Sequence, residues 1–506
     1  VFFISFATVN TKIMKQTILF IICLLFGFNM LCAQPKFEVR AAWLTTAYGM
    51  DWPRTKIRST ADIKKQKQEL ITILDQLQEA HINTILFQAR TRGEVFYKSN
   101  IEPFDSELTG KKNDNPGYDP LAFVIEECHK RGMECHAWLI AIPLGNQNHV
   151  RSLGTSSVTK KKPSICVNYN RQYFLNPGHP ETKVYLMSIV DEIIKNYDID
   201  GIHFDYLRYP ERATRFPDQK EYRQYGKGLS LDQWRKESIT AIVRHVYQNV
   251  KAKKPWVKVS TSPVGKLKDT PRYSSKGWNA HDVVHQDVNQ WLKEGIQDQI
   301  YPMMYFRGNN FFPFALDWQE RSNERQVIPG LGIYFLDPRE GNWTLDEVER
   351  QLFFLRNHKL NGQAFYRTEF LINNTKDVFT LIKDEFYDYP ALQPPMPWLK
   401  TDAPLPPKNL NAQYVNRGYL QLNWTSSLSA KEETVYYVVY GSNEYPVDCS
   451  KAQHIIAQRI SNEEYIYAPI TPWEAVRFFA VTTIDRYGNE SEPTQLSPTL
   501  YNDWWR

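Results

Sequence analysis

The chain has 506 residues, of which 42% are hydrophobic and 14% aromatic, so it can bury more than one core and is not a disordered protein. Its formal net charge is +5, from 61 basic and 56 acidic residues, which gives no electrostatic basis for binding nucleic acid. The 14 Trp and 29 Tyr residues supply flat apolar faces with polar edges, a combination that suits sugar binding.

Residues 1–33 are typical of a secretory signal peptide. An apolar run at residues 18–28 follows Met14 and is too short to span a bilayer comfortably. We expect translation to start at Met14 and cleavage to follow Ala33. Cleavage before Cys32, with lipidation of that cysteine, is the alternative. The sequence thus predicts export to the periplasm or cell surface, with an outer-membrane lipoprotein as the variant form.

Eight strand-like runs follow in chain order, and several are separated by amphipathic stretches with apolar residues at three- and four-residue spacing. The runs are Val39–Thr46, Asn83–Arg90, Glu134–Ala141, Ile199–Leu207, Val257–Ser262, Gln299–Phe306, Val327–Tyr334 and Gly362–Phe370. The amphipathic stretches include Ala61–Ala80, Leu121–Arg131, Thr182–Tyr197, Leu231–Lys251 and Leu345–His358. This alternation predicts a (β/α)8 TIM barrel over residues 37–395, in preference to an open doubly wound sheet.

A proline-rich stretch follows the predicted barrel, and we place a linker at residues 396–403. Beyond it, three runs alternate like half-buried strands: Leu420–Trp424, Tyr436–Tyr440 and Arg477–Thr482. They predict a small all-β, immunoglobulin-like sandwich over residues 404–500. Through Trp424 and the run Phe479–Ser491 this part resembles a fibronectin type III module.

Parallel barrels keep their chemistry where the strands end, so the carboxyl ends of the predicted strands are the place to look for a site. These ends carry many groups that suit a sugar ligand. The residues assigned to substrate binding are Trp43, Gln88, Arg90, His136, Trp138, His203, Tyr206, Arg208, Tyr305 and Arg367. Each one alone is more commonly structural, and the prediction rests on their convergence.

Glycosidic cleavage needs one protonated carboxyl group and a second carboxylate that attacks the anomeric carbon or activates water. Asp205 is the first candidate, because it follows apolar strand residues at the functional end of the fourth strand; a salt bridge to Arg208 is the structural alternative. For the second carboxylate we name Glu369 and Glu94, whose aromatic neighbours favour a raised carboxyl pKa. Asp337 is a third option.

Other kinds of chemistry have weaker support. His136, His203 and Asp205 are three potential metal ligands, but without a known geometry they are poor evidence for a metal site. Cys128 and Cys135 are expected to be buried thiols rather than a disulfide. No G-x-S-x-G nucleophile elbow occurs in the chain. We therefore expect no metal and no other cofactor.

Several motifs of the predicted barrel match a known family. They are Arg40–Thr46 with Asp51–Pro53, Asn83–Gln88, Asn115–Leu121, His129–Trp138, Asp200–Asp205, Ser262-Pro263, Tyr301–Tyr305 and Phe365–Arg367. Through them the chain resembles the bacterial glycoside-hydrolase-like family 10, exported TIM-barrel proteins that are often lipoproteins. The resemblance implies a hydrolase of bacterial or dietary polysaccharides, with some members similar to enzymes that cut peptidoglycan strands stripped of stem peptides. It implies site roles for Asp205, Gln88, His136, Tyr305 and Arg367.

The sequence therefore predicts an exported, endo-acting glycoside hydrolase whose first expected substrate is an amino-sugar glycan, such as a peptidoglycan strand. Trp43, Trp138, Tyr206 and Tyr305 are expected to line its subsites. The alternative is a non-catalytic cell-surface protein that holds glycan in the same cleft. The expected partner is a poly- or oligosaccharide, the expected state is a monomer, and membrane attachment would occur only through a lipidated Cys32.

Overall fold

The computed structural model describes residues 34–211, 213–416, 419–427, 434–469 and 475–497. The predicted signal segment, with Met14 and Cys32, lies outside these ranges. Within them, no helix has both the length and the apolar character that a bilayer-crossing segment needs.

The largest sheet is parallel and holds nine short strands. In chain order, the strands of the described ranges are β1 (Val39–Leu44), β2 (Thr84–Arg90), β3 (Glu134–Ile140), β4 (Pro143–Asn146), β5 (Cys166–Tyr169), β6 (Gln172–Leu175), β7 (Gly201–Asp205), β8 (Lys258–Thr261), β9 (Gln299–Ile300), β10 (Gln326–Val327), β11 (Gly330–Leu331), β12 (Gly362–Phe365), β13 (Lys408–Asn416), β14 (Tyr419–Thr425), β15 (Val435–Ser442), β16 (Ile455–Ile460), β17 (Glu464–Tyr467), β18 (Phe478–Asp485) and β19 (Thr494–Gln495). The parallel sheet has the order β10-β9-β8-β7-β3-β2-β1-β12-β11. Its strands are buried along their length, as expected where helices cover the outer face.

The two ends of this sheet lie in one stretch of chain. Only Ile328 and Pro329 separate β10 from β11. On one side the Ile328 N–H donates to the carbonyl of Ile300 (2.9 Å), and on the other the Ala364 N–H donates to the carbonyl of Pro329 (3.0 Å). The sheet therefore curls until its first and last strands are neighbours in sequence.

The predicted strand bounds are confirmed to within two residues for β1, β2, β3, β7 and β8. The last three predicted strands were too long. Pro302 and Pro329 have no N–H to give to a ladder, which limits regular pairing in the sixth and seventh strands. The eighth ends at Phe365, because residues 368–372 turn into a short helix.

Helices follow most of the parallel strands. They are α1 (Thr60–Glu79), α2 (Pro120–Lys130), α3 (Gln147–Ser152), α4 (Val158–Lys161), α5 (Pro180–Asn196), α6 (Gln219–Tyr225), α7 (Leu231–Lys253), α8 (Ala280–Val283), α9 (Val288–Lys293), α10 (Phe312–Glu320), α11 (Leu345–Asn357), α12 (Thr368–Ile372) and α13 (Val378–Leu381), with a π-helical turn at Ile382–Phe386. Their starts are encoded locally: the Ser59 hydroxyl accepts from the Asp62 N–H, and Ser230 with Gln233 forms a capping box. The five predicted amphipathic helices are confirmed.

The C-terminal part consists of two small antiparallel sheets, with the orders β13-β14-β17 and β16-β15-β18-β19. Leu420, Trp424, Tyr437, Phe479 and Val481 form one apolar core between them. All three runs that the sequence predicted as strands are strands here. Alternating residues thus direct one face of each sheet into a shared interior.

The predicted linker at residues 396–403 is packed against both of the parts that it joins. Met396 is buried, and its N–H donates to the carbonyl of Tyr487 in the C-terminal part (2.8 Å). The indole N–H of Trp398 donates to Asp298, next to β9 (3.0 Å). The start of the predicted linker, at residues 396–398, is therefore fixed to both parts.

A buried ion network also joins the C-terminal part to the base of the parallel sheet. Asp200, just before β7, accepts from Arg459 of β16 (2.6 Å) and pairs with His129 (2.8 Å). Burial acts to raise the pKa of Asp200, but the charges of Arg459 and His129 hold it well below the ordinary value. Asp200 is therefore ionised and strongly held.

We expect Arg459→Ala to destabilise the protein by on the order of 3 kcal/mol, because it leaves a buried carboxylate without its main partner. The depressed pKa of Asp200 contributes stability that is present above the ordinary aspartate pKa and is lost as the pH falls through the folded-state value. The variant should therefore unfold at a higher pH than the wild type during acid titration. Urea unfolding followed by Trp fluorescence measures the first effect.

The matched control is Lys253→Ala, which removes the exposed ion pair between Lys253 and Asp191 and should cost less than about 1 kcal/mol. Equal losses for the two variants would contradict the importance of the buried network.

Candidate active site

The inside of the curled sheet is filled by aromatic rings around a buried histidine. The indole N–H of Trp43 (β1) donates to Nε2 of His203 (β7) at 3.2 Å, so the proton of the imidazole lies on Nδ1, which bonds the Ser260 hydroxyl at 2.9 Å. Burial, with the charge of His136 as a smaller cause, holds the pKa of His203 well below its ordinary value. His203 is thus a neutral packing group that bonds Trp43 and Ser260 rather than a substrate.

Asp205 is the last residue of β7. Its side chain lies on the same face of the strand as that of His203, two residues nearer the carboxyl end. The residue is 6% exposed. Its Oδ2 accepts from the indole N–H of Trp138 (3.2 Å), and its Oδ1 accepts from the N–H of Tyr206 (2.7 Å). Burial raises the pKa of Asp205, against opposing hydrogen bonds from Ser262 and Tyr206. The residue therefore keeps its proton to higher pH than an exposed aspartate, as a general acid must.

Asp205 opens into a cleft of about 660 Å³, a size typical of ligand sites. Its lining includes six of the predicted substrate-binding residues: Trp43, Gln88, Trp138, Tyr206, Arg208 and Tyr305. An inserted antiparallel sheet with the order β4-β6-β5 supplies one wall through Tyr169, Gln172 and Phe174. These six residues, which the sequence places at the ends of separate strands, therefore lie around one cleft.

Four predicted substrate-binding residues lie outside the lining of this cleft. Arg90 is fully buried and gives a two-pronged ion pair to Glu102, with both N···O distances at 2.7 Å. His136 is fully buried and bonds Glu134 (3.0 Å). His203 is held as described above. These side chains are committed to protein partners, which corrects the prediction that they face a glycan.

Arg367 is the fourth predicted substrate-binding residue outside the cleft lining, and its guanidinium forms ion pairs with two carboxylates. It pairs with Asp51 and with Glu369, each at 2.6 Å. Asp51 also accepts from the N–H groups of Thr45 (2.7 Å) and Glu369 (2.9 Å). Arg367 and Asp51 thus fasten the loop after β1 to the loop after β12, at the edge of the cleft.

The acids that the sequence predicts as the second carboxylate do not line the cleft with Asp205. Glu369 is 26% exposed and is held by Arg367 and by Arg54 (3.0 Å), outside the cleft lining. Asp337 pairs with Arg339 (2.7 Å), whose hydrogen bonds lower its pKa to about 2. It too lies outside the lining. The structure therefore does not bring these two carboxylates to Asp205.

Glu94 lines a second, polar cavity of about 360 Å³ that adjoins the cleft. The two share Ala47, Tyr48, Thr91, Arg92 and Gln172. Both oxygens of Glu94 accept from Lys112 (3.0 and 2.7 Å). Burial first, and the charge of Asp105 second, raise the pKa of Glu94 to about 7. Glu94 therefore lies beside the cleft rather than in it.

Among the cleft residues that sequence reasoning missed are Tyr48, Arg92 and Glu211. Glu211 is an acid in the same cavity as Asp205, with a side chain that is 55% exposed. The predicted fourth strand ends at Leu207, four residues before Glu211. Within the described ranges, His, Cys, Asp and Glu side chains form no group that could hold a metal ion.

A curled parallel α/β sheet with a buried carboxyl group in an aromatic cleft at its strand ends is the arrangement of a TIM-barrel-like protein. A family model described as "Glycosyl hydrolase-like 10" matches residues 38–335. The chain belongs to this family, which confirms the resemblance drawn from its motifs.

Two relatives are similar over long stretches. Glycosyl hydrolase YngK of Bacillus subtilis (strain 168) is 32% identical over 511 residues, which cover 95% of this chain and 98% of YngK. Glycosyl hydrolase DigH of Escherichia coli (strain K12) is 32% identical over 293 residues, covering 54% of this chain and 66% of DigH. Among solved structures, the PgaB (BpsB) glycoside hydrolase domain from Bordetella bronchiseptica matches with a TM-score of 0.45 and 16% identity, over 68% of this chain and 98% of that chain.

The Ser262 hydroxyl is one of the groups that lower the pKa of Asp205. We therefore expect Ser262→Ala to raise that pKa further, since the charged form loses a hydrogen bond while the neutral form loses less. Carboxyl ¹³C NMR titration, with Asp205→Asn to assign the signal, measures the change. Ser260→Ala is the control, because that hydroxyl bonds His203 instead; equal shifts in both variants would contradict the assignment.

Proposed function

We propose that this chain is a glycoside hydrolase that cleaves O-glycosidic bonds in a polysaccharide. The observation that carries the proposal is Asp205, a carboxyl group with a raised pKa that opens into a ligand-sized aromatic cleft. Membership of a glycosyl hydrolase-like family and the names of YngK and DigH support it.

In the proposed reaction Asp205 gives its proton to the leaving glycosidic oxygen. Glu211, in the same cavity and exposed, is the second carboxylate that attacks the anomeric carbon or activates water. Such a split between a buried and a hydrated carboxyl group lets two like groups take opposite roles. Because Asp205 acts in its protonated form, turnover should fall as the pH rises through its raised pKa.

The substrate that we propose is an amino-sugar glycan, with peptidoglycan strands as the first example. The family resemblance supports this choice, and the aromatic rings of the cleft suit the apolar faces of sugar rings. Trp43, Trp138, Tyr206 and Tyr305 would line the subsites. The adjoining polar cavity extends the cleft and supports endo action on a long chain.

The remaining proposals concern the setting of this site. We infer that the curled sheet is a (β/α)8 barrel, supported by the bonds on both sides of Ile328 and Pro329. We infer that the two C-terminal sheets form an immunoglobulin-like sandwich of fibronectin type III type. We further propose that the chain acts outside the cytoplasm, as the apolar run at residues 18–28 suggests, with Cys32 as the site of a lipid anchor if it is modified.

Asp205→Asn should lower kcat/KM by about 10²- to 10⁴-fold, because general acid catalysis contributes roughly that much. The assay uses defined glycans, including denuded peptidoglycan strands, with products identified by mass. Asp191→Asn, on an outer helix, is the control. Wild-type turnover by the Asp205 variant would refute its role, and wild-type binding without products on any glycan would favour the non-catalytic alternative.

Glu211→Gln should also lower kcat/KM by more than about tenfold, as loss of a catalytic carboxylate requires. Its effect should fall mainly on kcat, and thermal unfolding should be unchanged. Glu94→Gln and Glu369→Gln are the comparison variants, for which we expect smaller losses. A larger loss in either of them would transfer the role of second carboxylate to that residue.

A further inference from the structure

Two tyrosine–arginine pairs stand at the mouth of the cleft. Tyr48 is 69% exposed and Tyr206 is 43% exposed. The guanidinium of Arg92 lies 5.4 Å from the Tyr48 ring centre and donates to the Tyr48 hydroxyl (2.7 Å). Arg208 lies 5.0 Å from the ring centre of Tyr206. All four side chains line the cleft, so each exposed ring has a positive charge beside it.

The backbone holds both rings at the mouth at some cost. Tyr48 has φ of 57° and Tyr206 has φ of 52°, in the left-handed region that is unfavourable for residues with a Cβ. In the described ranges, no other tyrosine has a positive φ. Strain of this kind is concentrated at functional sites. The exposed position of these two rings is therefore imposed by the surrounding structure.

The two guanidinium groups also have donors to spare. The Nε atom of Arg208 is buried without a hydrogen-bond partner, and the contact of Arg208 with Glu211 is long, at 4.0 Å. Of the described carboxylates, none lies within 4.0 Å of Arg92. Donors without a protein acceptor on a partly buried cation are unfavourable unless water or a ligand satisfies them, so they are available to an anionic ligand in the cleft.

The charges of both arginines act on the ring of Tyr206. Asp205 is the main cause of the raised pKa of Tyr206, and the charges of both Arg208 and Arg92 oppose it. The Arg92 charge thus reaches the ring that Arg208 covers. A ligand stacked on Tyr206 would therefore feel the charges of both arginines.

We propose that the cleft selects a glycan whose sugars carry carboxylate groups, with Arg208 and Arg92 pairing with the carboxylates and Tyr206 and Tyr48 stacking on the sugar faces. This inference rests on the proposed function, because it names the substrate feature recognised at the same site. The planar guanidinium fork matches the two oxygens of a carboxylate. A sugar carboxylate of either kind, a uronic acid or an ether-linked lactyl group, presents this chemistry.

The test measures binding by calorimetry in the Asp205→Asn protein, where turnover does not interfere. The probes are an oligouronate, an amino-sugar oligosaccharide with lactyl carboxylates, and the carboxyl-reduced form of each. We expect at least one of the two native probes to bind more tightly than its carboxyl-reduced form. Binding of that native probe should weaken at high salt, because salt screens the charges. Equal affinity for both native probes and their reduced forms would overturn the proposal.

Added Arg208→Gln or Arg92→Gln substitutions should weaken binding of the preferred carboxylate probe by on the order of tenfold, since each removes a charged hydrogen bond. Binding of the reduced probe should change little. Arg208→Lys should restore part of the loss, and Glu211→Gln should tighten carboxylate binding by removing a nearby negative charge. Arg350→Gln, at a residue that does not line the cleft, controls for net charge; an equal loss in that variant would refute specific recognition.

Hydrolysis by the wild-type protein separates this proposal from the proposed function. Equal cleavage of native and reduced probes would leave the hydrolase in place and remove the selectivity. Selective binding of the carboxylate form, with no products from any probe, would keep the selectivity and remove the hydrolase.

Discussion

A neutral histidine inside the curled sheet is the constraint on which the cleft depends. His203 accepts a hydrogen bond from Trp43 and donates one to Ser260, and a second proton would leave Trp43 without an acceptor. Burial keeps that proton away by lowering the pKa of His203. Trp43 is then held in place at the floor of the cleft. The hydrogen bonds of His203 inside the sheet thus set the position of an aromatic ring that lines the cleft.

The same strand carries two aspartates with opposite electrostatics. Asp200 comes before β7 and meets Arg459, so its pKa falls, whereas Asp205 ends the strand, where burial outweighs weaker hydrogen bonds and its pKa rises. Asp200 is fixed as an anion that joins two parts of the protein. Asp205 retains a proton that it can transfer. Environment rather than residue type separates the structural role from the chemical one.

Much of this could be predicted from the sequence, because period-2 and helical patterns are local signals. Period-2 alternation puts Gly201, His203 and Asp205 on one face of β7, where a Cβ at Gly201 would lie 2.6 Å from the ring of His136. Pairings across the fold could not be predicted. Arg90 meets Glu102 in a loop, and nothing in the spacing distinguishes such a partner from a substrate. Glu211 was missed because it follows the strand motif.

The C-terminal sheets contact the amino end of β7, where Arg459 reaches Asp200, while Asp205 faces the cleft at the other end of the same strand. That strand has five residues and spans roughly 16 Å. A partner bound by the C-terminal sheets would be held at a fixed distance and orientation from the cleft. The contacts of Met396 and Arg459 fix these sheets to the rest of the protein, so the connection does not act as a flexible linker. The size of the protein between these two surfaces would then set the distance from the cleft to any partner that the C-terminal sheets bind.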